Sequence, residues 1–231
     1  MSGRHAMAIR LSEGLAGGYD EELNDVCLTF AESLVRLAGG VIAGVKPAAI
    51  FSIPMKAFSA GQWRWLVRHA LDEALRAYAE SLPDYGVSLS VLYRTDRRVC
   101  LLVWRPEMLA CAFEDPELVA ILREAGYRGS DVDELIVELR RRLVAYYVAS
   151  SEGSPAQFPH EIGVFLGYPA EDVRGFLEGR EATCKGAWHA YGDAQVARSR
   201  FRVLEMHERR CRARFDAGES LSALFAPQMA S

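Results

Sequence analysis

The sequence predicts an α+β fold: a small mixed β-sheet of three or more strands, covered by long helices, with a helical C-terminal half. Three observations carry this. Short runs rich in β-branched and aromatic residues, AAIFSIP at 48–54, VSLSVLYR at 87–94 and VCLLVWR at 99–105, are confined to the first part of the chain. Apolar residues at three-to-four spacing surround them, as amphipathic helices require. From Asp115 onward strand signals stop and helical periodicity takes over.

Taken in order, Leu23, Val26, Cys27, Phe30, Leu34 and Leu37 predict a helix from about Tyr19 to Ala38, ended by Gly39 and Gly40. The 48–54 run follows Lys46 and Pro47 as a buried strand. A long helix then presents Trp63, Val67, Ala70, Ala74 and Tyr78 on one face. Turn chemistry at Pro83–Gly86 and TDRR at 95–98 frames the next two runs as a hairpin, and the first strand should run parallel to one of them after a helical crossover. Helices follow over 115–125 and 131–149, with Asp115 and Asp131 as N-caps and Val132, Leu135, Ile136, Leu139, Leu143 and Tyr147 as the stripe of the second. The last helix covers 192–215, with Ala197, Phe201, Leu204, Cys211 and Phe215 on its apolar face. The predicted organisation is a flexible 1–18, an α/β lobe at 19–149, a linker at 150–157 (SSEGSPAQ), a helical lobe at 158–215 packed on the first, and a flexible tail at 216–231.

Composition narrows function by exclusion. With 27 basic against 31 acidic side chains and a net charge of −4, the whole chain offers no attraction for nucleic acid or an anionic membrane. No apolar run reaches the roughly 20 residues of a membrane span, and the N-terminus lacks a signal-peptide core, so a cytoplasmic location is expected. Five cysteines without a C-x-x-C pair read as reduced thiols. The common nucleotide, serine-hydrolase and zinc-protease motifs are absent.

The most patterned stretch is FPHEIGVFLGYPAEDVRGFLEG at 158–179. Pro159 can open a helix, Gly167 ends it, and Pro169 opens a second that Gly179 stops, which makes a helix-turn-helix corner. DNA reading is disfavoured, because the second helix carries Glu171, Asp172 and Glu178 against Arg174 alone. His160 beside Glu161 has the residue types for acid/base work, yet helical neighbours diverge by about 100°. A partner for His160 must come from elsewhere, or it caps a neighbouring loop.

Further on, Cys184, His189, His207 and Cys211 form C-x4-H and H-x3-C pairs. His207 and Cys211 can reach one point, as a metal requires, although Cys211 also lies on an apolar stripe where a thiol acts as a small hydrophobe. No metal ligand set is assigned.

Three segments, GVKPAAIFS, FPHEIGVFLGYPAEDVRGF and CKGAWHAYGDAQVARSRFRVLEMHERRC, together resemble the bacterial domain of unknown function 3793 family over about residues 20–212. The matching positions are Lys46, Pro47, Phe158, Pro159, His160, Glu161, Gly163, Gly167, Tyr168, Pro169, Asp172, Gly175, Cys184, Gly186, Trp188, Tyr191, Gly192, Asp193 and Cys211. His189 stands where the family usually shows lysine and His207 is outside its pattern, so the four-ligand metal set loses two members. The resemblance implies no established activity and no defined cofactor; it associates the chain with anaerobic bacteria and with genes for iron or flavodoxin handling.

The candidate ligand-binding residues are therefore His160, Glu161, Cys184, Trp188, Tyr191, Cys211 and Lys46. The expected function is binding of a small molecule, metal or cofactor in a pocket where the 158–179 corner meets the 184–191 loop and the final helix. The alternatives are a thiol-dependent enzyme, with Cys184 or Cys211 as nucleophile and His160 as base, and a non-catalytic module that binds a protein partner.

Overall fold

The computed structural model describes residues 20–58 and 64–225. It is an α+β structure in two compact units. The first unit comprises residues up to Val45, Ala49–Trp104 and Met206 onward; the second comprises Lys46–Ala48 and Arg105–Glu205.

The first unit is built on helix α1 (Asp20–Ile42), strand β1 (Ala48–Pro54), helix α2 (Arg64–Ser81), and the hairpin of β2 (Ser88–Arg94) and β3 (Arg98–Trp104). The sheet order is β1-β3-β2. It is antiparallel throughout rather than mixed. β2 and β3 pair antiparallel from Ser88↔Trp104 to Arg94↔Val99, and Met55 N–H donates to Arg97 O at one end of β1 while Arg105 N–H donates to Pro47 O at the other. β1 does point the same way as β2, as a helical crossover would bring it, but β3 lies between them. The reason is apolarity: all of Val99–Trp104 is buried, so β3 takes the central place.

One face of the sheet, with Ala49, Phe51, Ile53, Val99, Leu101 and Val103, joins the apolar cores of α1 and α2. The two-residue period of a strand puts exactly alternate positions there. From α1 come Leu23, Val26, Cys27, Phe30 and Leu34, with Leu37 left 37% exposed; from α2 come Val67, Ala70, Ala74 and Tyr78. Tyr78 donates its buried hydroxyl to Cys27 O at 3.1 Å, and its ring lies 4.6 Å from Phe30. Burying a side chain such as Phe30 or Leu34 contributes about 1.5–3 kcal/mol relative to exposure.

Gly39 and Gly40 do not end α1. The backbone kinks at Ala38 (φ −127°, ψ 22°) and helical bonding runs on to Ile42, which is buried with Val41. Gly39 packs against Glu208 of the last long helix, where a Cβ would make an ordinary contact at 3.4 Å. The segment after that helix also holds structure. Leu221–Phe225 form a short helix whose Leu221, Leu224 and Phe225 join the core, and Phe225 stacks on Tyr85 at 5.6 Å. Arg214 ties this turn back through Glu219 and Ala223 O. Of the sequence expectations, Tyr19, Trp63, the 1–18 lead and the last six residues lie outside the described residues.

The second unit is helical. α3 (Pro106–Ala112) and α4 (Pro116–Glu124) each start on a proline, whose missing N–H has no partner in a first turn anyway. α5 (Val132–Ser151) follows. Asp115 and Asp131 cap as expected, accepting from Glu117 N and Glu134 N. α3 has no strong periodic signal in seven residues, so the sequence reading passes over it. Leu118, Ile121, Leu122, Leu135, Ile136, Leu139 and Leu143 are buried. Residues 150–157 run within this unit, as the end of α5 and the exposed stretch behind it.

Candidate functional site

The 158–179 corner is present, with a shorter first helix than the sequence predicts. Pro159 opens a run of i-to-i+3 bonds, Pro159 O to Ile162 N, His160 O to Gly163 N and Glu161 O to Val164 N. Only Ile162–Phe165 then form helix α6. Gly167 (φ +76°) turns the chain in a left-handed residue, and Tyr168 N–H reaches back to Gly163 O at 3.0 Å, closing a Schellman cap. A Cβ at Gly167 would also meet Pro47 at 2.5 Å. The Lys46–Pro47 segment thus seats on the Gly167–Tyr168 turn, with Lys46 Nζ 5.8 Å from the Tyr168 ring centre. Helix α7 (Ala170–Leu177) completes the corner.

Of the two neighbours His160 and Glu161, the carboxylate is the one turned inward. Glu161 is 7% exposed and its Oε1 accepts from Tyr127 Oη at 3.1 Å and from Arg142 Nη1 at 3.2 Å. Arg142 lies over the Tyr127 ring at 4.1 Å, donates to Ala125 O at 2.7 Å, and shares Glu138 with Arg141. Burial first, and then the Glu161 carboxylate, push the Tyr127 phenol far above its ordinary range, so it stays a donor. The two guanidinium groups hold the Glu138 carboxyl down at about 2. His160 is exposed. Its ring packs against Phe158 at 5.4 Å and Phe176 at 4.9 Å, with no side-chain hydrogen bond to a described residue, so it caps no loop.

Beside this cluster opens a cleft of about 730 Å³, lined from α5 by Arg141, Arg142, Ala145, Tyr146 and Ala149 and from the opposite side by Ala156–Glu161. Ile121, Glu124, Ala125 and Leu177 complete it. Tyr146 meets Phe158 edge to face at 5.1 Å. Glu124 is engaged by Arg174, which is the single base on α7. Tyr127, Glu138, Arg141, Arg142 and Tyr146 are absent from the sequence-based candidates. The Glu138, Arg141, Arg142 spacing was a readable signal of helical ion pairing, whereas Tyr127 sits in a loop where no pattern marks it.

The remaining candidates of this unit form a second constellation around Asp172. A two-stranded ribbon, β4 (Cys184–Lys185) and β5 (His189–Ala190), stands where the sequence shows no strand signal, because two residues per strand are too few to alternate. Asp172 is 6% exposed and accepts from Trp188 Nε1 and Tyr191 N, both at 2.7 Å. Trp188 stacks on Tyr168 at 5.0 Å and meets Phe201 edge-on at 4.5 Å. A Cβ on Gly175 or Gly186 would collide with Tyr191 or Phe201 respectively, so both glycines are places of ring-to-backbone contact. Lys46, Trp188 and Tyr191 are therefore brought together through Tyr168 and Asp172, as structural ties. Cys184 is half-buried in the ribbon, opposite Ala190.

Cys211 belongs to the first unit. It lies on helix α8 (Ala194–Asp216), buried in the apolar core, and burial raises its thiol to about 11. A thiol so held is protonated near neutral pH and is a poor nucleophile. All five cysteines are free. Among the described residues no three or more His, Cys, Asp or Glu side chains converge as a metal site would need, and no helix is long and apolar enough to cross a membrane.

No curated protein and no solved structure matches the chain. A family model does, described as protein of unknown function (DUF3793), over residues 34–225. That span includes both carboxylate clusters, the KP segment and the Cys184–Asp193 block, and on it the chain belongs to the DUF3793 family.

Proposed function

We propose that this protein binds a small organic molecule in the cleft between α5 and residues 156–161, without catalysing a reaction on it. The observation that carries the reading is the cleft's make-up: about 730 Å³, mainly apolar and aromatic walls, and a fixed Arg142–Glu161 pair at one side. Small-molecule sites span about 300–1,000 Å³ and combine apolar walls with few polar groups in just this way. An organic ligand fits better than a metal ion, since the cleft's acidic groups are already engaged by arginines. The five free thiols fit a reducing, cytoplasmic setting.

A thiol-dependent enzyme, with Cys184 or Cys211 as nucleophile, has less support, because Cys211 is a buried core residue with a raised pKa and the His160 ring packs on Phe158 and Phe176 with no hydrogen bond to Cys184. The protein-interaction reading draws on Phe176 and Leu177, both over 40% exposed at the end of α7.

A fragment screen by ligand-observed NMR, repeated on Ala145→Trp, tests the proposal. The new indole enters the cleft from an exposed helical position, so hits should vanish. Hits that persist unchanged in the variant sink the cleft as the site.

A further inference from the structure

We infer that the molecule this cleft takes is an aromatic anion, a flat apolar ring system bearing one carboxylate, sulfonate or phosphate group. This deepens the reading of the cleft as a ligand site and rests on it.

The anionic end follows from where donors remain. Arg141 and Arg142 are consecutive on α5 and would diverge by about 100° if left alone. Glu138, three and four residues earlier, gathers them: its Oε2 and Oε1 accept from Arg141 Nε and Nη2, and Oε1 also accepts from Arg142 Nε, all at 2.7 Å. Both arginines line the cleft. These bonds, with those from Arg142 Nη1 to Ala125 O and Glu161, leave Arg141 Nη1 and Arg142 Nη2 without a hydrogen bond to any described residue. Guanidinium groups already oriented by one carboxylate and still holding unengaged N–H groups are suited to an oxyanion.

The acidic groups of the cleft offer less. Glu124 gives both oxygens to Arg174, and the Glu161 side chain is only 9% exposed, with one oxygen already in two hydrogen bonds. Arg141 has a side chain 67% exposed, as open as that of Glu124 at 64%, but with a nitrogen still unengaged where Glu124 has both oxygens taken.

The aromatic body follows from the walls. Tyr146 and Phe158 meet edge to face at 85°, and neither is stacked face to face on its other ring neighbour, Tyr147 at 65° or His160 at 58°. Pro159, Ala145, Ala149 and Leu177 add apolar surface without polar groups that would demand partners. Flat rings stack on such surfaces with offset or edge-on geometry.

Calorimetry with four probes tests this: 2-naphthoate, 2-naphthalenemethanol, 2-naphthylmethylammonium and cyclohexanecarboxylate, on the full chain, on Arg141→Gln and on Ala145→Trp. The naphthoate should bind at least about tenfold tighter than the other three. Arg141→Gln should weaken the naphthoate about tenfold and leave the alcohol unchanged. Ala145→Trp should abolish all binding. If the alcohol, the amine or the alicyclic acid binds as tightly as the naphthoate, or Arg141→Gln does not affect it, while Ala145→Trp still blocks, the aromatic anion is overturned and the cleft stands. Failure of the naphthoate to bind also overturns the inference. Binding that ignores Ala145→Trp overturns the cleft reading itself.

Discussion

Glu161 and Asp172 lie eleven positions apart in the same corner, are almost equally buried, and do different things. Asp172 accepts from two neutral N–H groups, the Trp188 indole and the Tyr191 backbone, and so fastens the β4–β5 ribbon to α7. Glu161 accepts from a phenol and a guanidinium and stands at the wall of a cleft. A buried carboxylate must be hydrogen-bonded in either case. What differs is the identity of the donors: neutral ones bind a loop in place, whereas a charged one fixes an arginine that lines the cleft.

Asp172→Ala should be the most damaging change, because it strands a backbone N–H and the indole N–H together. A loss of about 3 kcal/mol is expected, or about 10 °C in the melting midpoint for a chain of this size, with tryptophan emission shifted to the red as Trp188 loses its partner. A midpoint within a degree of wild type would mean that Asp172 fastens nothing. Glu161→Gln should cost less, about 1–2 kcal/mol, since the amide still accepts from Tyr127 while Arg142 keeps Glu138 and Ala125 O. Equal losses for the two variants in a urea titration would erase the distinction between them.

The Glu138 cluster should show in acid. Its carboxyl is held at about 2, below the ordinary 4.5, so its contribution is complete above about pH 4.5 and disappears as pH falls towards 2. The side chain is 25% exposed and its partner Arg141 reaches solvent, so about 1 kcal/mol is at stake. The stability difference between wild type and Glu138→Gln, followed by urea midpoints, should be present at pH 7 and close near pH 2. His160→Ala should be the mildest, within about 0.5 kcal/mol of wild type by thermal melting, because its ring packs on Phe158 and Phe176 from an exposed position. A large loss there would make His160 a structural residue after all.

Much of the architecture was legible. The three strands, the caps at Asp115 and Asp131, and the stripes of α1, α2, α5 and α8 follow from periodicity and capping, which are local. The glycine pair at 39–40 was misleading for a physical reason: apolar Val41 and Ile42 beyond it are buried, so the helix kinks at Ala38 and continues. At the candidate site, the stretch 158–161 was found with both His160 and Glu161 among the candidates, but not which of the two is buried. Nothing in the letters His-Glu says which of two neighbours turns inward.

By itself, then, the sequence determined which of the longer segments become helices and strands, and which polar residue types would have to be accommodated near the corner. The tertiary structure decided their partners. It set β3 between β1 and β2, gave Asp172 to the ribbon, placed Cys211 in an apolar core, and brought Tyr127 and Arg142 to Glu161 across 34 and 19 positions of chain. Propensity and capping act over three or four residues, whereas a buried charge is satisfied by whatever donor the packing brings to it, and no local pattern records that choice.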